Sequence, residues 1–186
     1  MSKNIFEKQN QSSAYDSPWT LEARIVILLW EMCWGLLCSW TPKPCNSWRL
    51  LWLHLFGATI HGVPFVHQRA RIAMPWNLIL RDHACLGDRT NIYNLAGIEI
   101  GEHATVAQEA YLCTGTHDID HPSFSLKTGE IFIGARAFIG ARAFIMPGVT
   151  VGEGAVVGAC STVTKDVSPW TVNAGQPCRL IRQRRQ

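Results

Sequence analysis

The chain has 186 residues, 47% of them hydrophobic and 17% charged, which fits one folded unit with a substantial core and not a disordered or fibrous chain. A net charge of +3, with no long basic stripe before the last few positions, gives no case for a nucleic-acid partner. Seven cysteines, an odd number with no CxxC pair and no zinc-finger spacing, argue against a disulfide scaffold and suit a reducing cytosol.

Residues 1–18 are polar, with neither an apolar stretch nor a small-residue cleavage site, and are expected to form a flexible lead-in and not a signal peptide. Ser17-Pro18 before Trp19-Thr20-Leu21-Glu22 predicts a helix start, with proline near the first turn and an acid inside it. From Ile25 to Trp40 the chain is apolar on every face except at Glu31 and Ser39, yet it falls short of the ~20 residues that span a bilayer. Pro42 and Pro44 end it, and a second amphipathic stretch from Trp48 to Phe56 stops at Gly57. Six of the eight tryptophans lie between residues 19 and 52, and tryptophan favours boundaries with one wet edge. Two readings follow: a helical hairpin packed on the end of a larger body or on a neighbouring subunit, or a peripheral membrane contact through residues 19–56.

From Gly57 to Ile79, short β-type runs around Ile60 and Ile72 read as an irregular capping coil. A six-residue phase becomes clear from Leu80 (LRDHAC, LGDRTN, IYNLAG). Two extra residues, Ile98-Glu99, then shift it, as a small bulge in one wall would. It resumes from Ile100 (IGEHAT, VAQEAY, LCTGTH) and is most regular from Ile133 to Ser168, where position one is always Ile or Val and position two is Gly in four of six hexads. Neither a 3.6-residue nor a 2-residue period explains this. A left-handed parallel β-helix does: three flat walls make one coil, the large aliphatic fills the interior, the small residue at position five fits where the wall bends, and Gly is expected to carry an unusual corner backbone. Cys85, Cys113 and Cys160, inside the repeat, are expected to be packing residues. The predicted fold class is therefore an all-β core, a left-handed parallel β-helix over 58–175, preceded by a lead-in and apolar helical hairpin over 1–57 and followed by a short basic tail over 176–186.

The phase stops at His117 and restarts at Ile133, so a polar, proline-containing loop over 118–130 leaves a rigid wall in mid-repeat. Function is commonly carried on such loops.

These hexads, the TGTHD segment with its loop, and the ending GACSTVTKDVSPWTVNAGQPCRLIR resemble the hexapeptide-repeat O-acetyltransferases, in particular the branch that acetylates sugars of exopolysaccharides such as colanic acid. The resemblance implies a homotrimer with acetyl-CoA in a groove between adjacent β-helices, no metal, and His117 as the catalytic base. It implies an acceptor that is a sugar, free or as its nucleotide- or lipid-linked form, in the cytoplasm or at the inner face of the membrane. For the acceptor it points to Asn94, where galactoside- and maltose-type relatives carry Asp, to Arg89, where they carry Asn, and to Asp118. For the donor it points to Phe138 as an aromatic groove wall, to Gly140 and Ala141 as the turn facing the oxyanion, and to Gly158 and Ala159 where pantetheine passes. Thr164, Lys165, Arg179 and Arg182 fall near the nucleotide and its phosphates, while Arg184 and Arg185 are read as a solvated terminus.

The chemistry agrees with the choice of His117, because a sugar hydroxyl attacks a thioester only as its proton is removed, and a neutral imidazole has a suitable pKa. Small neighbours Thr114, Gly115 and Thr116 are expected to leave room for both substrates. Asp118, Asp120 or a backbone carbonyl would orient the ring, and His121 is a weaker acceptor contact. Two other readings of the residues stand beside this one. The first is a zinc hydrase on the same fold, with His103, His117 and His121 as ligands. The second is a non-catalytic β-helix scaffold.

Overall fold

The computed structural model describes residues 17–185, so most of the lead-in expected over 1–18 lies outside the described residues. Five coils of a left-handed β-helix stack in parallel, in-register ladders. Wall A is built from Thr59–Ile60, Leu78–Leu80, Ile98–Ile100, Ile131–Ile133 and Thr150–Val151. Wall B runs through Phe65–Val66, Cys85–Leu86, Thr105–Val106, Phe138–Ile139 and Val156–Val157. Wall C runs through Arg71–Ile72, Asn91–Tyr93, Tyr111–Cys113, Phe144–Ile145 and Thr162–Val163. Position one of each hexad fills the bore: Leu86, Ile92, Val106, Ile139, Ile145 and Val157 are all fully buried. Position five fills the bend, as Ala104, Ala137, Ala143 and Ala155 show.

The hexad glycines at position two serve a different purpose from the one expected, while Gly148 and Gly154 at position four do carry the left-handed corner backbone. The left-handed corner residue is position four, occupied by Arg89, His103, Glu109, Arg136, Arg142 and Cys160. Position two is glycine because the next coil is close: a Cβ on Gly134 would lie 2.6 Å from Glu153 N, and one on Gly140 2.5 Å from Ala159 N. Cysteines correct a second expectation. Cys113 is buried, but Cys85 points outward from wall B and Cys160 sits on an exposed corner.

The rhythm also reaches further back than expected, since Ile60, Val66 and Ile72 stand in register over Leu80, Leu86 and Ile92. The two extra residues near Ile98 make no bulge, because Leu78–Leu80 and Ile98–Ile100 pair without a break. They lengthen one corner instead. Between walls C and A, the first coil carries a 3-10 turn at Pro75–Asn77, the second carries residues 94–97, and the third carries the long insert. All the irregularities are thus stacked on one edge of the prism.

Both ends of the stack expose ladder edges that must be covered. At the first coil, helices α1 (Leu21–Cys33) and α2 (Asn46–Leu55) do this with side chains. Trp30 Nε1 donates to Ile72 O at 2.6 Å, Trp34 Nε1 to Ala70 O at 3.0 Å, and Asn46 brackets Pro64 O and Val66 N. This accounts for two of the clustered tryptophans: their indoles are edge donors on an apolar body. Fully buried Arg49 adds Nε to Val66 O at 2.8 Å, and its two terminal nitrogens reach Thr41 Oγ1, Pro42 O and Lys43 O, each at 2.9 Å. At the last coil, Thr171–Ala174 is covered by an antiparallel strand, Arg179–Gln183, so the expected free tail is a strand. Arg184 is no solvated end either. It donates to Gly154 O at 2.7 Å and Arg136 O at 3.1 Å and lies over the Trp170 ring.

The helix start sits at Thr20, whose hydroxyl accepts from Ala23 N, two residues beyond Pro18. A π-turn, Trp34–Cys38, extends α1. The face of α1 opposite Trp30 is apolar and open: Leu21, Ile25, Leu28, Met32, Leu36 and Trp40 are each at least half exposed. The carbonyls at the end of this helix are closed by side chains: Gly35 by Ser39 Oγ, Leu36 by Trp40 Nε1, Leu37 by Trp48 Nε1 and Cys38 by Thr41 Oγ1. Among the described residues no helix is long and apolar enough to cross a membrane.

Removing Arg49 strands the Val66 carbonyl beneath α2 and takes a donor from Thr41 Oγ1, Pro42 O and Lys43 O. Arg49→Met is expected to lower the unfolding free energy by about 3 kcal/mol or more, read from urea denaturation.

Candidate active site

The third coil's insert leaves the corner between walls C and A as a β-hairpin and not as an unstructured loop: Gly115–His117 pairs antiparallel with Leu126–Thr128. Its root is fixed. Buried Thr114 donates its hydroxyl to Tyr93 O at 2.9 Å, accepts from Ala96 N at 3.0 Å, and takes Gly129 N on its own carbonyl. A Cβ on Gly115 would be 3.0 Å from Leu95 Cδ1. These small residues serve the close fit of hairpin to corner, and the space they were expected to leave for substrates lies beyond them, around His117.

His117 ends the first limb, exposed to solvent. Its Nδ1 lies 2.7 Å from Phe124 O, and its ring stacks on the Phe124 ring with centroids 5.1 Å apart. A carbonyl only accepts, so Nδ1 carries the proton and the neutral ring presents Nε2 as a bare acceptor. The orienting group is thus a backbone carbonyl, and neither Asp118 nor Asp120. Asp118 is held by Lys127 Nζ at 2.8 Å, a hydrogen bond that keeps its carboxyl below the ordinary carboxylate value. His121 Nδ1 is 2.7 Å from Ser123 Oγ within the hairpin tip.

The acceptor expectation for Asn94 is corrected. Its side chain is fully buried, accepting from Met74 N at 2.9 Å and donating to Met74 O at 2.6 Å, which leaves nothing for a sugar. Asn77 Nδ2 in turn donates to the carbonyls of Asn94 and Leu95. Asn94 and Asn77 tie together the two corner turns beneath the hairpin, a role that a family position alone does not signal. Arg89 is exposed, on the corner between walls B and C of the second coil.

The donor-side residues fall into two groups. Gly140, Ala141, Gly158 and Ala159 form a stripe on the corner between walls B and C, with Arg179 opposite Ala174 at its end. Phe138 and Arg182 stand on wall B beside it, Phe138 being 42% exposed. Within the turn 140–143, Gly140 N is bonded to Val157 O, Arg142 N to Gln108 O and Ala143 N to Gly140 O. Among the described residues only the Ala141 N–H of this turn has no partner, so Gly140 contributes shape and not a donor. Thr164 and Lys165 are exposed on the other edge of wall C, the edge that carries the hairpin. Along wall C, between its two edges, an aromatic column follows the stack, with Tyr93 to Tyr111 at 6.3 Å and Tyr111 to Phe144 at 4.8 Å. Burial pushes the Tyr111 phenol up to about 12.

The residues weighed as a zinc set do not meet. His103 stacks on His83 at 4.9 Å on the corner between walls A and B, away from the hairpin. Among the described residues no three His, Cys, Asp or Glu side chains converge as metal ligands.

A left-handed β-helix whose one irregular edge holds a histidine hairpin is the architecture of the hexapeptide transferases. Residues 130–165 match the family described as "Bacterial transferase hexapeptide (six repeats)". A protein of Escherichia coli (strain K12), whose name assigns it to colanic acid biosynthesis as the acetyltransferase WcaF, is 38% identical over 160 residues, covering 86% of this chain and 88% of its own. Among solved structures, a hexapeptide-repeat-containing acetyltransferase from Vibrio cholerae O1 biovar eltor, complexed with acetyl coenzyme A, superposes with a TM-score of 0.81 at 21% identity over 90% of this chain and 91% of that one. A maltose O-acetyltransferase from Clostridium difficile 630 superposes with a TM-score of 0.74 at 26% identity over 90% and 92%. The chain belongs to the hexapeptide-repeat acetyltransferases.

The Phe124 contact fixes a tautomer that can be observed. In ¹⁵N spectra at neutral pH, His117 is expected to show a protonated Nδ1 and an unprotonated Nε2; the reverse assignment would contradict the geometry.

Proposed function

We propose that this acetyltransferase takes its acetyl group from acetyl-CoA and delivers it to a sugar hydroxyl, with His117 as the general base. The observation that carries the reading is the Nδ1 contact to Phe124 O, which leaves Nε2 free to accept a proton at an exposed edge. The names of the Escherichia coli and Clostridium difficile relatives supply the acceptor class, and the acetyl coenzyme A in the Vibrio cholerae structure supplies the donor. Nε2 takes the hydroxyl proton as the sugar oxygen attacks the thioester carbonyl. The oxyanion of the tetrahedral intermediate is met by the Ala141 N–H, a contribution of ~3 kcal/mol for a well-placed donor. Collapse breaks the C–S bond, and the imidazolium returns its proton to the departing thiolate.

His117 and Ala141 lie on opposite edges of wall C, six residues of extended chain or up to ~20 Å apart. A single chain does not bring them together, so the site is completed by a second copy whose B–C edge meets the hairpin edge of the first. The half-buried aromatic column of wall C lies between those edges and faces the axis of a homotrimer. The donor groove then runs along the stripe Gly140, Ala141, Gly158 and Ala159 of one copy beside Phe138, with Thr164 and Lys165 of the next, and Arg179 and Arg182 reach the nucleotide phosphates.

The open ridge of α1 rests on a membrane surface in this reading. The support is its direction, away from the core, together with helix-end carbonyls closed by side chains, which an apolar medium requires and water does not.

His117→Ala is expected to lower turnover by ~10²–10⁴ while acetyl-CoA still binds; wild-type turnover would remove His117 as base. Sedimentation equilibrium is expected to give three times the 20.8 kDa chain mass, and full activity from a monomer would exclude the shared site. On vesicle flotation the wild-type protein is expected to rise with the lipid and Leu28→Glu/Met32→Glu to stay behind; a wild-type protein that stays behind would refute the membrane contact.

A further inference from the structure

Beneath the π-turn, the corner between walls B and C of the first two coils opens into a cleft of about 460 Å³, lined by Ser39 above and by Arg69, Arg71, Arg89 and Asn91 below. Arg71 and Asn91 are neighbours in one ladder, and Arg71 N donates to Thr90 O at 2.8 Å, so Arg71 and Arg89 are held on adjacent coils. Arg69 is compensated: its Nη2 donates to Asp88, whose other oxygen is 3.1 Å from His67 Nδ1. The guanidinium groups of Arg71 and Arg89 have no hydrogen bond or ion pair among the described residues.

Two guanidinium groups without a partner among the described residues line one concave surface, and an anion bound between them meets no carboxylate already paired to either. The planar fork of arginine matches phosphate oxygens two at a time, and two forks suit a diphosphate. The donor stripe lies on the fourth and fifth coils, ~14 Å along the axis at ~4.8 Å per coil, so this is a different anion site from any that serves the CoA phosphates. It lies only ~7 Å along the axis below the third coil, which carries the hairpin. In the shared site described above, this corner of one copy faces the hairpin of the next.

We propose that the Arg71–Arg89 cleft binds the phosphate or diphosphate ester of the acceptor, so that the enzyme acetylates a phosphate-carrying sugar and not a free neutral one. The acceptor role rests on the acetyl-transfer reading; the anion site does not. The ester's source is either a nucleotide or a lipid carrier, which present the same diphosphate.

The test is calorimetric titration of inorganic pyrophosphate into the full chain already saturated with CoA, which occupies the donor groove. One site per chain is expected, weakened at least tenfold in Arg71→Gln/Arg89→Asn, where asparagine suits the left-handed corner at position 89. Absence of binding to the CoA-saturated wild type, or equal binding by the variant, would overturn the proposal. His117→Ala is expected to bind pyrophosphate as wild type does, so a failure of the base assignment shows in turnover alone. Parallel titrations with uridine diphosphate and with geranyl diphosphate separate the sources, the tighter ligand naming the carrier; if neither binds above pyrophosphate-free background, the ester assignment fails.

Discussion

The constraint on which the rest depends is the close axial approach of successive coils. With Ala159 N only 2.5 Å from where a Cβ on Gly140 would stand, the backbone of one coil is set directly upon the next, and no side chain can intervene at these corners. That contact aligns the ladders, keeps large aliphatics in the bore, and forces left-handed backbone onto position four. It also explains why polar residues such as Arg89, His103 and Arg142 occupy corners: they are the outermost points of a prism whose interior is already full.

A stack this regular has little freedom to build a site except where it is interrupted. Every interruption falls on the edge between walls C and A, and each rests on the one below: Pro75–Asn77, then residues 94–97 held by Asn77 and Asn94, then the hairpin rooted on Thr114. The His117 hairpin is therefore carried by ordered corner turns and not by a mobile loop. Asn94 is the residue where this matters most, because its position suggests a sugar contact and its surroundings make it a bracket for Met74.

The two ends of the solenoid solve one problem in different ways. The last coil is covered by a strand of the same chain, whereas the first is covered by indole and guanidinium donors from helices. The helical solution has a consequence the strand does not. With Trp30, Trp34 and Arg49 committed to the edge, an equally apolar face of α1 is turned outward.

The sequence by itself determined the repeat, the β-helix and the place where it breaks, because a six-residue period and its interruption are one-dimensional features. It could not decide which group orients His117, since Phe124 O lies across a hairpin whose pairing is not written in either limb. It could not separate a glycine needed for φ from one needed for space, since the atom that excludes a Cβ belongs to a coil 18 residues away. Nor could it tell that within the turn 140–143 only Ala141 keeps a free N–H, or that Arg71 and Arg89 line one cleft. Those are properties of neighbours along the axis, and only the stacked coils decide them.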